Sequence, residues 1–180
     1  VHTRRLILML GWIVGSGCDT NDGNTPGPDA ANDASSEASV DAEQPASVEL
    51  GTGEVEFEPV VPDQHLKLYA GTQGGHHVWL SYRTQGLEPK SIRMTLDVVP
   101  EANARMAHSE VELNLDSVEG DPEQSEFVGW PAQILDPECA VGSPVSIQLT
   151  LTDKRGKQAS GEMRVIPDPP DTGFTRTCTR

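Results

Sequence analysis

From Val48 onward the chain alternates apolar and polar residues with a period of two, and no other feature restricts its fold as tightly. Ile92, Met94, Leu96 and Val98 are separated by Arg93, Thr95 and Asp97. Val145, Ile147, Leu149 and Leu151 repeat the rule, and so do Ala159, Gly161, Met163 and Val165. Weaker versions run through Val78, Leu80 and Tyr82, through Val111, Leu113 and Leu115, and through Leu66, Leu68 and Ala70. Val55 and Phe57 alternate with Glu54, Glu56 and Glu58. Successive side chains on a strand point to opposite faces, so this pattern predicts strands with one buried and one wet face. The one competing helical stretch, residues 100–107, is too short and irregular to organise a core. Strands at such spacing, divided by turn residues, predict an all-β sandwich or barrel.

The last two strands are joined by Thr152-Asp153-Lys154-Arg155-Gly156-Lys157, in which Gly156 is free to take a positive φ. Pro167, Pro169 and Pro170 then end the final strand. This pair resembles the closing hairpin of immunoglobulin-like and fibronectin-type domains, and the Trp79 strand sits roughly where such domains keep a core tryptophan. The resemblance implies an Ig-like antiparallel β-sandwich of about seven to eight strands. The cysteine–tryptophan–cysteine order of antibody domains is absent, because Cys139 and Cys178 both follow Trp79.

The residues before the domain are of a different kind. Arg4-Arg5 is followed by the apolar run Leu6-Ile7-Leu8-Met9-Leu10-Gly11-Trp12-Ile13-Val14 and then by Gly15-Ser16-Gly17-Cys18. The run is too short to span a bilayer, which takes about 20 apolar residues, but suits the h-region of an export signal. Ending on a cysteine, it resembles the lipobox of bacterial lipoproteins, with Gly15 where leucine or valine is commonest. The resemblance implies a signal peptide at 1–17 and a lipidated Cys18 that anchors the protein to a membrane of the cell envelope. The alternative is an ordinary secretory signal cut near Gly17. Residues 18–47 are mostly Asp, Asn, Gly, Pro, Ala, Ser and Glu, with Val40 the only large aliphatic side chain before Val48. Low hydrophobicity and one sign of charge predict a disordered acidic tether, reaching about 30 Å on average. The predicted folded domain is then 48–180.

Three cysteines are an odd number for an exported chain. Acylation of Cys18 accounts for one. Cys139 and Cys178 are then predicted to form a disulfide in an oxidising compartment.

One segment is not explained by strand pairing alone: Tyr69-Ala70-Gly71-Thr72-Gln73-Gly74-Gly75-His76-His77-Val78-Trp79-Leu80. It resembles a Gln-Gly-Gly-x-His-Val-Trp-like stretch in a group of myxobacterial-type lipoproteins without an assigned activity, and the likeness covers roughly 48–83. Three readings stand. In the first, Gly74-Gly75 simply bend the chain between strands. His76 and His77 offer imidazoles to copper or zinc, with His65, His108 and carboxylates completing a shell. Adjacent residues on a regular strand face opposite ways, however, so shared chelation needs an irregular bend. In the third reading Gln73, Gly74, Gly75 and Trp79 recognise a carbohydrate or peptide, with Trp79 on a face shared by His77, Ser81 and Arg83. Trp130 is expected to plug the core near a strand end. Asp116, Glu119, Asp121, Glu123 and Glu126 are expected in a solvated acidic loop, since they lack a calcium-loop pattern.

The chain contains no Gly-x-Ser-x-Gly, His-Glu-x-x-His, Cys-x-x-Cys or phosphate-loop motif. Its net charge of −15 opposes nucleic-acid binding. The expected function is therefore that of a lipid-anchored, non-enzymatic envelope protein, whose partners are the membrane and an envelope protein or glycan. The alternative is a metal-binding envelope lipoprotein.

Overall fold

The computed structural model describes residues 45–72, 74–174 and 177–178. The expected signal peptide, Cys18, the tether as far as residue 44, and Gln73 lie outside the described residues. In chain order the elements are β1 (Ser47–Thr52), β2 (Glu58–Pro59), β3 (Gln64–Lys67), β4 (Tyr69–Ala70), β5 (His76–Gln85) and β6 (Ile92–Pro100). They continue with β7 (Ala107–Leu113), β8 (Asp116–Val118), β9 (Asp121–Ile134), α1 (Pro137–Ala140), β10 (Val145–Thr152) and β11 (Gln158–Asp168).

The strands form two sheets, ordered β2-β1-β5-β9-β8, with β4 also on β5, and β3-β11-β10-β6-β7. This is the strand order of the immunoglobulin fold. The strands β1, β5, β9 and β8 stand where A, B, E and D stand in that fold, and β6, β10 and β11 take the places of C, F and G. The Ig-like sandwich expected from the alternation is therefore the fold observed. Two details differ. Among the described residues there are eleven strands rather than seven or eight, because β2, β3, β4 and β7 are added to the seven just matched. The sandwich is also not wholly antiparallel, since β3 runs parallel to β11.

The predicted inward residues make the core. Val78, Leu80, Tyr82, Ile92, Met94, Leu96, Val98, Val145, Ile147, Leu149 and Leu151 are each no more than 1% exposed. Burying one such aliphatic side chain stabilises the fold by about 1.5–3 kcal/mol. Tyr82 stacks on Phe127 and brings its hydroxyl within 3.5 Å of Met94 Sδ, and burial pushes its phenol pKa up. Between β3 and β4 the chain crosses from the second sheet to the first, with Leu68 fully buried at the crossing.

Other expectations are corrected. Of the alternating residues, 54–57 do not form a strand: they bend back from β1 into β2, which takes up Glu58, and Val55 is 86% exposed. Gly53 adopts φ 113°, and its carbonyl accepts a hydrogen bond from Ser81 Oγ at 2.9 Å, which lays this segment across the outer face of the first sheet. Phe57 there lies 4.4 Å beneath the Arg83 guanidinium. The acidic stretch 116–126 is a hairpin of β8 and β9 rather than a loop, turning at Gly120 with φ 84°. Trp130 packs against the core as expected, but from within β9, opposite Leu80. Trp79 is not the core tryptophan of the fold, because it stands on β5 and points away from Val78 and Leu80.

The β10–β11 hairpin forms as predicted, with Gly156 N–H donating to the Asp153 carbonyl at 2.9 Å. Its buried Asp153 carboxylate accepts the backbone N–H groups of Glu88, Arg155 and Lys157 at 3.2, 2.9 and 2.9 Å. Burial by itself raises this carboxyl, but those donors and the Arg155 charge outweigh it and hold it below the ordinary aspartate value of 3.8. Asp153→Ala leaves three donors short of an acceptor and is expected to destabilise the domain by about 3 kcal/mol in urea unfolding at pH 7. The stabilisation is fully present above the ordinary value and is lost as pH falls through the lower folded value. Acid titration followed by circular dichroism should therefore show the difference between variant and parent shrinking at the acid end.

Candidate functional site

The site begins with a short hairpin. Tyr69 pairs with His77 and Ala70 with His76. Gly71 N–H donates to Gly75 O at 2.7 Å, and Gly74 N–H to Gly71 O at 3.0 Å. Gly74 takes φ 84°, as the last residue of a three-residue hairpin loop requires. The Gly-Gly pair thus bends the chain, and the histidines open β5.

On β5 the pleat separates the two histidines. His77, Trp79, Ser81 and Arg83 share the outer face, opposite the buried Val78, Leu80 and Tyr82. His76 has the inward parity but lies at the open end of the sandwich, with the Phe174 ring 5.5 Å away. His65 pairs with Asp168 at 2.7 Å and His108 with Asp97 at 2.6 Å, both on the second sheet. Among the described residues no three His, Cys, Asp or Glu side chains come together as a metal site. On β5, which is regular and paired on both edges at this point, His76 and His77 point to opposite faces.

The outer face carries an aromatic surface instead. The His77 and Trp79 rings meet edge to face at 4.5 Å, and Tyr69 lies 6.0 Å from His77 and 5.9 Å from Trp79. Across the ladder, Pro131 stands beside Trp79 and Gln133 beside His77, both exposed. His77, Trp79, Pro131 and Gln133, with His76, Thr72 and Gly75, line a shallow open groove of about 590 Å³ whose lining contains no Asp, Glu, Lys or Arg; Tyr69 stands beside it, with Lys67 Nζ 5.5 Å from its ring. Burial lowers the His77 pKa, Glu54 pulls it partly back up, and His76 lowers it further. The imidazole is therefore neutral at pH 7. His77 Nε2 and Trp79 Nε1 are buried and meet no hydrogen-bond partner among the described residues.

A neutral buried imidazole predicts an acid response. The unfolded chain takes up a proton near the ordinary value of 6.5, whereas folded His77 does so only at lower pH. Stability should be fully present above about 6.5 and lost as pH falls from there through the folded value. His77→Gln should remove that slope between pH 7 and 5, as read from urea midpoints; an unchanged slope assigns it elsewhere.

Of the residues expected from the sequence, the structure brings Gly75, His77 and Trp79 to one groove and places Gly74 at its hairpin rim. His76 also borders it, from the open end of the sandwich, and Gln73 lies outside the described residues. Tyr69, Pro131 and Gln133 were not expected in the site. The place of Tyr69 was readable, since a three-residue loop between Gly71 and Gly75 sets it opposite His77. The other two belong to β9, whose Pro122, Gly129 and Pro131 conceal a strand. Neither protein-family models nor curated proteins match this chain.

Proposed function

We propose that this chain is a lipid-anchored protein of the cell envelope, in which an acidic tether holds out an Ig-like module that binds rather than catalyses. One observation carries the reading. Cys139 and Cys178 form a disulfide, which leaves Cys18 as the one cysteine without a mate in the chain. It stands directly after an export-type apolar run and Gly15-Ser16-Gly17, where a lipoprotein cysteine becomes acylated. The resemblance to myxobacterial-type lipoproteins belongs to the same reading. The binding role is supported by the open aromatic groove on the outer face of the first sheet.

Mass spectrometry of the mature amino terminus tests the anchor. The expected species begins at Cys18 and carries the mass of a diacylglyceryl thioether. An unmodified amino terminus would overturn the reading and leave a secreted protein with a free thiol.

A further inference from the structure

We infer that the groove takes a neutral hexopyranose chain whose rings carry equatorial substituents, stacked on the surface formed by Tyr69, His77 and Trp79. The inference rests on the binding-module reading and names the ligand class for that module.

Three observations select this chemistry. First, the three rings pack against one another at 4.5–6.0 Å with their planes inclined by 22–72°, so they fill the space between them and leave no void for a ligand to enter. A cage for an organic cation needs ring faces that converge on the charge, and none is formed here. Second, the groove lining has no charged side chain and a neutral imidazole, in a chain of net charge −15, and the nearby Lys67, 5.5 Å from the Tyr69 ring, is already paired with Asp171 at 2.6 Å. An anionic ligand would find no counter-charge and would be repelled by the whole domain. Third, the backbone under the groove is already paired on both edges, His77 with Tyr69 on one side and with Gln133 on the other. A peptide that adds itself as a strand would find only the outer edge of β9, where Pro131 offers no N–H.

A pyranose with equatorial substituents meets these conditions. Its flat C–H face is apolar and fits an aromatic surface, while its hydroxyls lie around the perimeter. Exposed Gln133 and Thr72 stand at the edge of the groove, offering a carboxamide and a hydroxyl that each donate and accept. The shallowness of the groove suits a polymer that passes through it rather than a small molecule that must be enclosed.

Affinity electrophoresis tests the inference on the full chain in a non-glycosidic, non-ionic detergent. Native gels would contain hydroxyethyl cellulose, glycol chitin or a galactan whose axial hydroxyl interrupts the flat face. Retardation is expected in at least one of the first two and not in the galactan. Trp79→Ala should weaken it roughly tenfold or more, the scale of a lost aromatic contact. Trp79→Phe should keep most of it, and Gln133→Ala, an exposed change at the rim, should weaken it without altering the thermal melt. No retardation by either equatorial polymer, equal retardation by the galactan, or retardation untouched in both Trp79→Ala and Gln133→Ala would each overturn the inference. A chain acylated at Cys18 that ignores all three polymers keeps the anchored module and removes the sugar, so the two failures are distinct.

Discussion

Cys18→Ala moves the protein from the membrane pellet to the soluble fraction essentially completely. Each buried methylene of an acyl chain contributes about 0.8 kcal/mol of membrane affinity, and two or more chains hold a protein where one does so only marginally. The apolar run 6–14 is about half the length a spanning helix needs. No helix among the described residues is long and apolar enough to cross a bilayer. From Asp19 to Leu66 the chain carries no Lys or Arg, so the tether is repelled by anionic lipid instead of adhering to it. Fractionation with and without a high-salt wash checks the outcome. Variant protein that stays in the washed pellet would show that something other than the thioether lipid holds it.

Removing the disulfide has the largest expected effect on the folded domain. Cys139 in α1 is joined to Cys178 across a separation of 39 residues. In the chain-entropy account a loop of this length corresponds to about 4 kcal/mol. That is a large share of the roughly 5–15 kcal/mol by which a domain is stable. The closed loop contains both β10 and β11, which pair over eight positions and supply the second sheet with its centre. Cys139→Ser with Cys178→Ser should lower Tm by roughly 10–20 °C for a domain of this size. Reductant should lower the parent to the same value and leave the double variant unchanged. Equal melting of parent and variant would mean that the unfolded chain gains no freedom when the bridge is lost.

The legible and hidden parts of the fold divide along physical lines. The strands β6, β10 and β11 were readable because their inward positions are apolar or small and their outward ones polar, save Val99 and Ile166 near the strand ends. The strand β9 was hidden although it is the longest. The register shift opposite Leu80 and Tyr82, with Gly129 at φ 78°, interrupts the period of two midway. Pro131 suggests a break, yet it is tolerated because β8 pairs only with the first part of β9 and leaves that edge free of a partner strand. The false strand at 54–58 failed for the opposite reason. Its glutamates imitate alternation, but Gly53 at φ 113° turns the backbone, and only Glu58 at its end joins the ladder, opposite Thr52. As for the site, β5 reads as two faces at once. Val78, Leu80 and Tyr82 compete with His77, Trp79 and Arg83, and only the aliphatic core opposite decides which set is buried. The groove itself needed β9, so half of it was out of reach of local pattern.

The placement of β1 also fixes how the domain bears a load. Ser47 pairs with Gln85 and Gly51 with Ser81, so the strand runs from the far end of β5 toward the groove. Thr52 Oγ1 then donates to the Trp79 carbonyl at 2.7 Å. A pull at residue 47, resisted by whatever grips Trp79, acts along the strand axis. The β1–β5 pairs share that tension in shear and must fail together, whereas a pull across them would peel them apart one at a time.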